Sequence, residues 1–206
     1  MKRKRGFTLA EVLITLAVIG IISALTLPTL MADTTAAQIG PKLAKAVASF
    51  EQANESFLNS NAVDTLTDSE YFDSVDAYGE ELSKYFKITK TNSGYLSKDG
   101  MRYEFTKGTA PTNTTDPAYK QKVGEVKIDI NGLSKKQVNG ANIFYFSWWN
   151  DGSLRPKGAT NWDEATTSID GGATHWKTQC KEDETPSDAT YCAGHIFENN
   201  LKVLYN

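Results

Sequence analysis

The apolar residues of the chain follow three different patterns. From Phe7 to Leu30 the sequence reads FTLAEVLITLAVIGIISALTLPTL, with Glu11 as its one ionisable group. A run of about 20 apolar residues matches the hydrocarbon thickness of a bilayer, so residues 7–30 are expected to form a membrane-embedded helix. A small, polar stretch, MADTTAAQ, covers 31–38. Beyond it Ile39, Leu43, Val47, Phe50 and Phe57 recur at helical spacing, with Lys42, Lys45, Glu51 and Glu55 elsewhere. That periodicity predicts a helix over about 39–58 with one apolar face. Gly40-Pro41 weakens its start and is a candidate bend. Read as one nearly continuous helix from Phe7 to about Leu58, the two segments span roughly 75 Å at 1.5 Å per residue.

The third pattern has a period of two. Met101, Tyr103 and Phe105 alternate with Arg102 and Glu104 after the turn signal Lys98-Asp99-Gly100. Val126, Ile128 and Ile130 alternate with Lys127 and Asp129 and run into Asn131-Gly132. Ile143 to Phe146 is a third strand candidate, followed by Trp148-Trp149 and the turn Asn150-Asp151-Gly152; Leu201 to Tyr205 is a fourth. Residues 108–122 and 155–190 read as long loops. A few strands packed on one amphipathic helix make an α+β domain.

Composition narrows the class. At 206 residues, 40% hydrophobic and 11% aromatic, the chain is one ordinary domain with an appendage, neither polytopic nor disordered. The net charge is -3, from 22 Lys+Arg and 25 Asp+Glu. Four of the cations, Lys2, Arg3, Lys4 and Arg5, precede the apolar run; without them 18 cations face 25 anions, a net of -7. An anionic body gives no electrostatic case for nucleic acid binding. The basic cluster orients the apolar segment by the positive-inside tendency and places the body outside the cytoplasm.

Three readings compete for residues 1–30. A secretory signal needs an apolar core of roughly 7–15 residues and small residues at a cleavage site. Here the run is too long, and Leu30-Met31-Ala32 lacks the outer small residue. A plain signal anchor fits the length but has no use for a carboxylate in the bilayer, which is costly and a functional suspect by default. If instead a protease cuts after Gly6, Phe7 gains a free α-amino group at a helix N-terminus, and Glu11 stands one turn in. In a low dielectric the carboxylate then pairs with the amine of its own or a neighbouring chain, which makes it an assembly device.

Residues Met1 to Pro28, MKRKRGFTLAEVLITLAVIGIISALTLP, resemble the N-terminal signal of type IV pilins and type II secretion pseudopilins. The pattern is a short basic leader, Gly, Phe-Thr-Leu-x-Glu, an unbroken apolar helix and a Pro near its far end. The resemblance implies a pilin-like α+β fold, with a long N-terminal helix on a small antiparallel sheet and long loops. It implies removal of a basic leader, residues 1–6, by a prepilin peptidase that cuts between Gly6 and Phe7 and methylates Phe7. It assigns Glu11 to subunit docking and Pro28 to a helix kink; a proline removes one backbone bond and clashes with the preceding turn. Residues 7–30 become the transmembrane and filament-core helix, and 31–206 an extracytoplasmic globular domain that includes the amphipathic half-helix. Partners implied are other pilin-like subunits, the peptidase/methyltransferase and an inner-membrane assembly platform. The stretches 126–132, 139–158 and 191–203 also resemble the C-terminal half of many prepilin-type proteins, where Asp is expected in place of Asn142 and Pro in place of Gln137.

Cys180 and Cys192 are the only cysteines. Outside the cytoplasm they are expected to form a disulfide, which for a loop this size stabilises by about 3 kcal/mol in the entropy model. A Cys2His2 zinc site with His175 and His195 is the alternative, at a spacing that is not a standard one. No cofactor is expected. Weak calcium candidates are Asp129, Asn131 and Asp151; Asp129-Ile-Asn131-Gly132 matches only the opening of a calcium loop and lacks the closing Glu. Trp148, Trp149, Trp162 and Trp176 are expected in a core beneath the loops, a sugar-binding platform being the other use for them. No phosphate loop, nucleophile elbow or H-E-x-x-H motif is present, and no enzyme is expected. The reading is a filament subunit, with a non-polymerising, membrane-anchored lectin-like protein as the alternative.

Overall fold

The computed structural model describes residues 8–108, 122–132, 137–157, 179–181, 185–186 and 189–203, with side chains left aside over 27–36. Helix α1 (Leu9–Asn61) carries both helical patterns of the sequence in one element. The chain forms two compact units, Met1–Gln38 and Ile39–Asn206. Pro28 belongs to the stretch whose side chains lie outside the described residues, so its kink remains an expectation.

Within Met1–Gln38, α1 is apolar on every side. Large side chains from Leu9 to Leu25 are exposed all round the helix, among them Leu9 at 79% and Leu25 at 72%. The hydroxyls of Thr15 and Thr26 donate back to the carbonyls of Val12 and Ile22, each at 2.9 Å, so neither presents an unmet donor to an apolar medium.

In Ile39–Asn206, the stripe read from the sequence is the core-facing edge of α1. Leu43, Val47, Phe50 and Phe57 are buried, Ala46 and Ala53 fill the gaps between them, and Ile39 packs at the margin. They lie against a six-stranded antiparallel meander, β1 (Ile88–Thr91), β2 (Gly94–Ser97), β3 (Arg102–Lys107), β4 (Lys122–Asp129), β5 (Ile143–Trp149) and β6 (Leu154–Pro156), in sequential order. Phe50 is the centre of that contact. Its ring stacks on Tyr103 at 5.9 Å and meets Phe105 at 5.5 Å and Trp148 at 6.0 Å. The Tyr103 hydroxyl donates to the Ala46 carbonyl at 3.2 Å, which ties strand to helix through a polar group that burial would otherwise penalise. Two 3-10 turns (Leu66–Asp68 and Glu70–Asp73) and helix α2 (Val75–Leu82), capped by Ser74, connect α1 to the sheet. Helix α3 (Cys192–Glu198) packs on β5 through Phe146 and Phe197.

This is the expected α+β arrangement. Three strands differ from the reading only in their ends, while β1, β2 and β6 were not anticipated. The fourth strand candidate is corrected: Leu201 to Val203 forms no strand, and residues 204–206 lie outside the described set. Asn200 and Leu201 both take left-handed backbone angles (φ 53° and 63°), and the Leu201 amide returns to the Ile196 carbonyl at 2.8 Å, closing α3 instead of starting a strand.

Gly40, read as a weak point, has a packing role. A Cβ built there meets the Leu201 carbonyl oxygen at 1.9 Å, so only glycine lets the C-terminal tail lie against α1. Gly40→Ala is expected to destabilise the globular body by about 1–3 kcal/mol, the usual cost of forcing atoms into a packed site. Chemical denaturation of the detergent-solubilised protein checks this: an unchanged midpoint removes Leu201 as the reason for the glycine.

Candidate functional site

The N-terminus of α1 holds the one charge of the apolar segment, and its geometry is specific. Thr8 precedes the first helical residue. The Glu11 Oε2 accepts from the Thr8 amide and from the Thr8 hydroxyl, each at 2.8 Å, while the Thr8 Oγ1 accepts from the Glu11 amide at 3.3 Å. That is a reciprocal capping box, which satisfies two of the orphan amides at a helix start. Sequence reasoning concentrated on the charge and missed the cap, although its signal, Thr followed three residues later by Glu before an apolar run, is plain in FTLAE. The cap fixes where the carboxylate sits: folded back over the first turn, on the side from which the chain enters. Gly6 and Phe7 lie outside the described residues.

The remaining site candidates separate. Asp129 ends β4, on the strand where the alternation placed it, and is buried although it alternates with the apolar residues. Its carboxylate faces its cross-strand partner, buried Arg102, with Nη2–Oδ2 at 3.6 Å. The Asp129 Oδ1 also accepts from the Asn131 amide at 3.0 Å and the Asn142 side-chain amide at 3.4 Å. Asp151 is elsewhere. Its Oδ1 caps the β5–β6 turn by accepting from the Ser153 amide and hydroxyl at 2.9 and 2.6 Å. Because Asp129 pairs with Ile143 at the start of β5 and Asp151 follows its end, the length of β5, about 20 Å, separates them. The structure therefore does not bring the three calcium candidates together. Among the described residues no group of three metal-ligating side chains occurs.

Cys180 and Cys192 are joined as a disulfide with Cα atoms 5.4 Å apart. This leaves neither thiolate for the zinc alternative; His175 lies outside the described residues, and His195 is buried in α3. Trp148 and Trp149 are buried at 1% and 3% exposure, the latter under the Arg155 guanidinium at 4.6 Å, so neither offers a face to a sugar. Trp162 and Trp176 lie outside the described residues.

The arrangement at the N-terminus is thus an apolar rod with one capped carboxylate. Leu9–Thr26 is long and apolar enough to cross a membrane. No curated protein and no solved structure matches the chain. A family model described as the prokaryotic N-terminal methylation motif matches residues 1–27. With the apolar helix it marks a membrane-anchored, single-pass protein, and it identifies the N-terminus of this chain as the prepilin-type signal of type IV pilins and pseudopilins.

Proposed function

We propose that the chain is a structural subunit, pilin or pseudopilin, of a type IV pilus or type II secretion filament. A prepilin peptidase removes residues 1–6 and methylates Phe7. The subunit waits in the cytoplasmic membrane with its body outside, as the basic leader directs. An assembly platform in that membrane then extracts it into a polymer of this chain or of this chain with related subunits. In the polymer the apolar helices bundle at the centre, Glu11 meets the Phe7 amine of a neighbour, and the α+β bodies form the outer surface. Moving from lipid to bundle keeps the apolar side chains out of water throughout, so packing and charge pairing decide the transfer. The role is structural, without catalysis.

The observation that carries this reading is the motif at residues 1–27 over an apolar helical segment whose single carboxylate is Glu11. Burial takes Trp148 and Trp149, two of the four tryptophans, away from a lectin-like surface, and a disulfide suits an extracytoplasmic body. Intact mass spectrometry of the natural product tests it. The expected chain begins at Phe7 and carries one added methyl group. A chain that keeps Met1, or one that starts near Asp33, overturns the proposal.

A further inference from the structure

The two ends of the sheet differ in charge. At the end formed by the β2–β3 turn, a recess of about 400 Å³ opens between α1 and the segment that enters β1; Lys45, Lys87 and Lys98 stand around it, with Ser49 and Gln52 on the helix side. The single carboxylate there, Asp99, is held by Lys45 at 2.5 Å. Lys87 and Lys98 are exposed and form no ion pair among the described residues. Arg102 and Asp129, at the same end, are buried and neutralise each other.

The opposite end carries the opposite sign. Between Ala62 and Ser83 the sequence has seven acidic residues and no Lys or Arg. The first part of this segment is fastened to the far end of the sheet: the Leu66 and Thr67 amides donate to Asn150, just past β5, at 2.8 and 2.9 Å. Asp64, Asp68, Glu70 and Asp73 are exposed along it. The cations of that end are already engaged, Lys107 by the Phe72 carbonyl at 2.8 Å and Lys122 by Glu125 at 3.6 Å. Lys45 is thus paired at one end, and Asp76 and Glu81 are paired with Lys90 and Lys84 in the acidic segment, while Lys87 and Lys98 on one side and Asp64, Asp68, Glu70 and Asp73 on the other form no ion pair among the described residues. Strand β3 alone separates the two ends by about 17 Å.

We infer that the lysine-lined recess of one subunit receives the acidic segment around Asp68 and Glu70 of a second copy of this chain. Opposite charges at opposite ends of one body suit a head-to-tail contact. Such a contact is heterologous and propagates into an open filament when its rotation does not close a ring, whereas a two-fold contact made end to end would set like charges against each other. The mature body repels its copies on average, with its net of -7; a localised complementary pair of surfaces overcomes this in one register and so selects it. The inference rests on the filament reading and adds the body-to-body contact to it.

The test reverses charges in the full chain and measures sheared filaments. Lys87→Glu with Lys98→Glu is expected to lower filament yield at least tenfold, as is Asp68→Lys with Glu70→Lys. Combining the four substitutions is expected to restore most of the yield. All these side chains are exposed, and an unchanged melting temperature for each variant confirms that folding is intact. Wild-type filaments should also shed subunits as salt is raised. Reversal without loss of yield overturns the contact alone, and so does loss that the combined variant does not recover, which would give the recess a different anion. Absence of filaments from the wild-type chain overturns the filament reading, and this contact with it.

Discussion

Glu11→Ala is expected to abolish filaments while leaving the leader fully cleaved. In the proposed function cleavage precedes assembly and acts on the Gly6–Phe7 bond, so mass spectrometry should still find a chain beginning at methylated Phe7. Assembly is different. Under the proposed function, drawing the helix into an apolar bundle would place the Phe7 ammonium where water is scarce, and the Glu11 carboxylate is the only anion in residues 7–30. Removing one partner of a desolvated pair costs about 3–5 kcal/mol, because the survivor keeps its desolvation penalty. At 1.4 kcal/mol per factor of ten, filament yield should fall at least a hundredfold.

Alanine also deletes the Glu11 half of the capping box, worth about 1 kcal/mol. A glutamine variant separates the two effects. Its side-chain oxygen still reaches the Thr8 amide, as glutamine does in such boxes, but it carries no charge. If charge pairing drives assembly, Glu11→Gln fails as completely as Glu11→Ala. Normal filaments from the glutamine variant would reassign Glu11 to helix capping, and normal filaments from the alanine variant would remove both roles. The cap also has a physical part to play before assembly: it ties the carboxylate to the amide and hydroxyl of Thr8 at the start of the helix, where the positive end of the helix dipole lies.

What the sequence revealed, and what it hid, follows from the length and regularity of each pattern. Helix α1 was legible because its halves are each strongly patterned, apolar all round from Leu9 to Leu25 and then striped at Leu43, Val47, Phe50 and Phe57. Strands β3 and β4 carry period-two alternation and β5 is an apolar, aromatic run, each over six to eight residues, enough to read. By contrast β1 and β2 are four residues each, rich in Lys, Thr and Ser, and no period can be established over that span. Helix α3 is seven residues, and its Leu201 tail looked extended because left-handed residues leave no mark when they are Asn and Leu instead of glycine. The site divides the same way. Glu11 stood out as a lone charge in an apolar field. Asp129 looked solvated because it alternates with the apolar residues ahead of an Asn-Gly turn; its burial became visible only with the strand register that sets Arg102 opposite.

That register makes Asp129 the source of the second large effect. Asp129→Ala is expected to destabilise the globular body by about 3–5 kcal/mol, a large share of the 5–15 kcal/mol that holds a typical domain together. The penalty arises at Arg102, which is 4% exposed and whose guanidinium, among the described residues, would keep the Ser93 hydroxyl at 2.9 Å and the Gln137 carboxamide, once its oxygen is turned toward the guanidinium. Neither carries a charge. Asp129 also gathers the Asn131 amide and the Asn142 side chain, and Asn142 in turn accepts the Val138 amide at 2.7 Å, so the loss spreads into the turn between β4 and β5. Asp129→Asn retains acceptors for those amides and should cost less than alanine. Replacing both partners, Arg102→Met with Asp129→Leu, should recover most of the loss, since an apolar pair leaves no charge to solvate. Denaturant unfolding of the detergent-solubilised chain measures all four proteins, each with millimolar calcium and again with chelator. If Asp129 serves Arg102, calcium moves none of the midpoints. A calcium-dependent rise in the wild type that vanishes in Asp129→Ala would instead make Asp129 a ligand, because an ion bound only by the native state adds its binding free energy to the folded side.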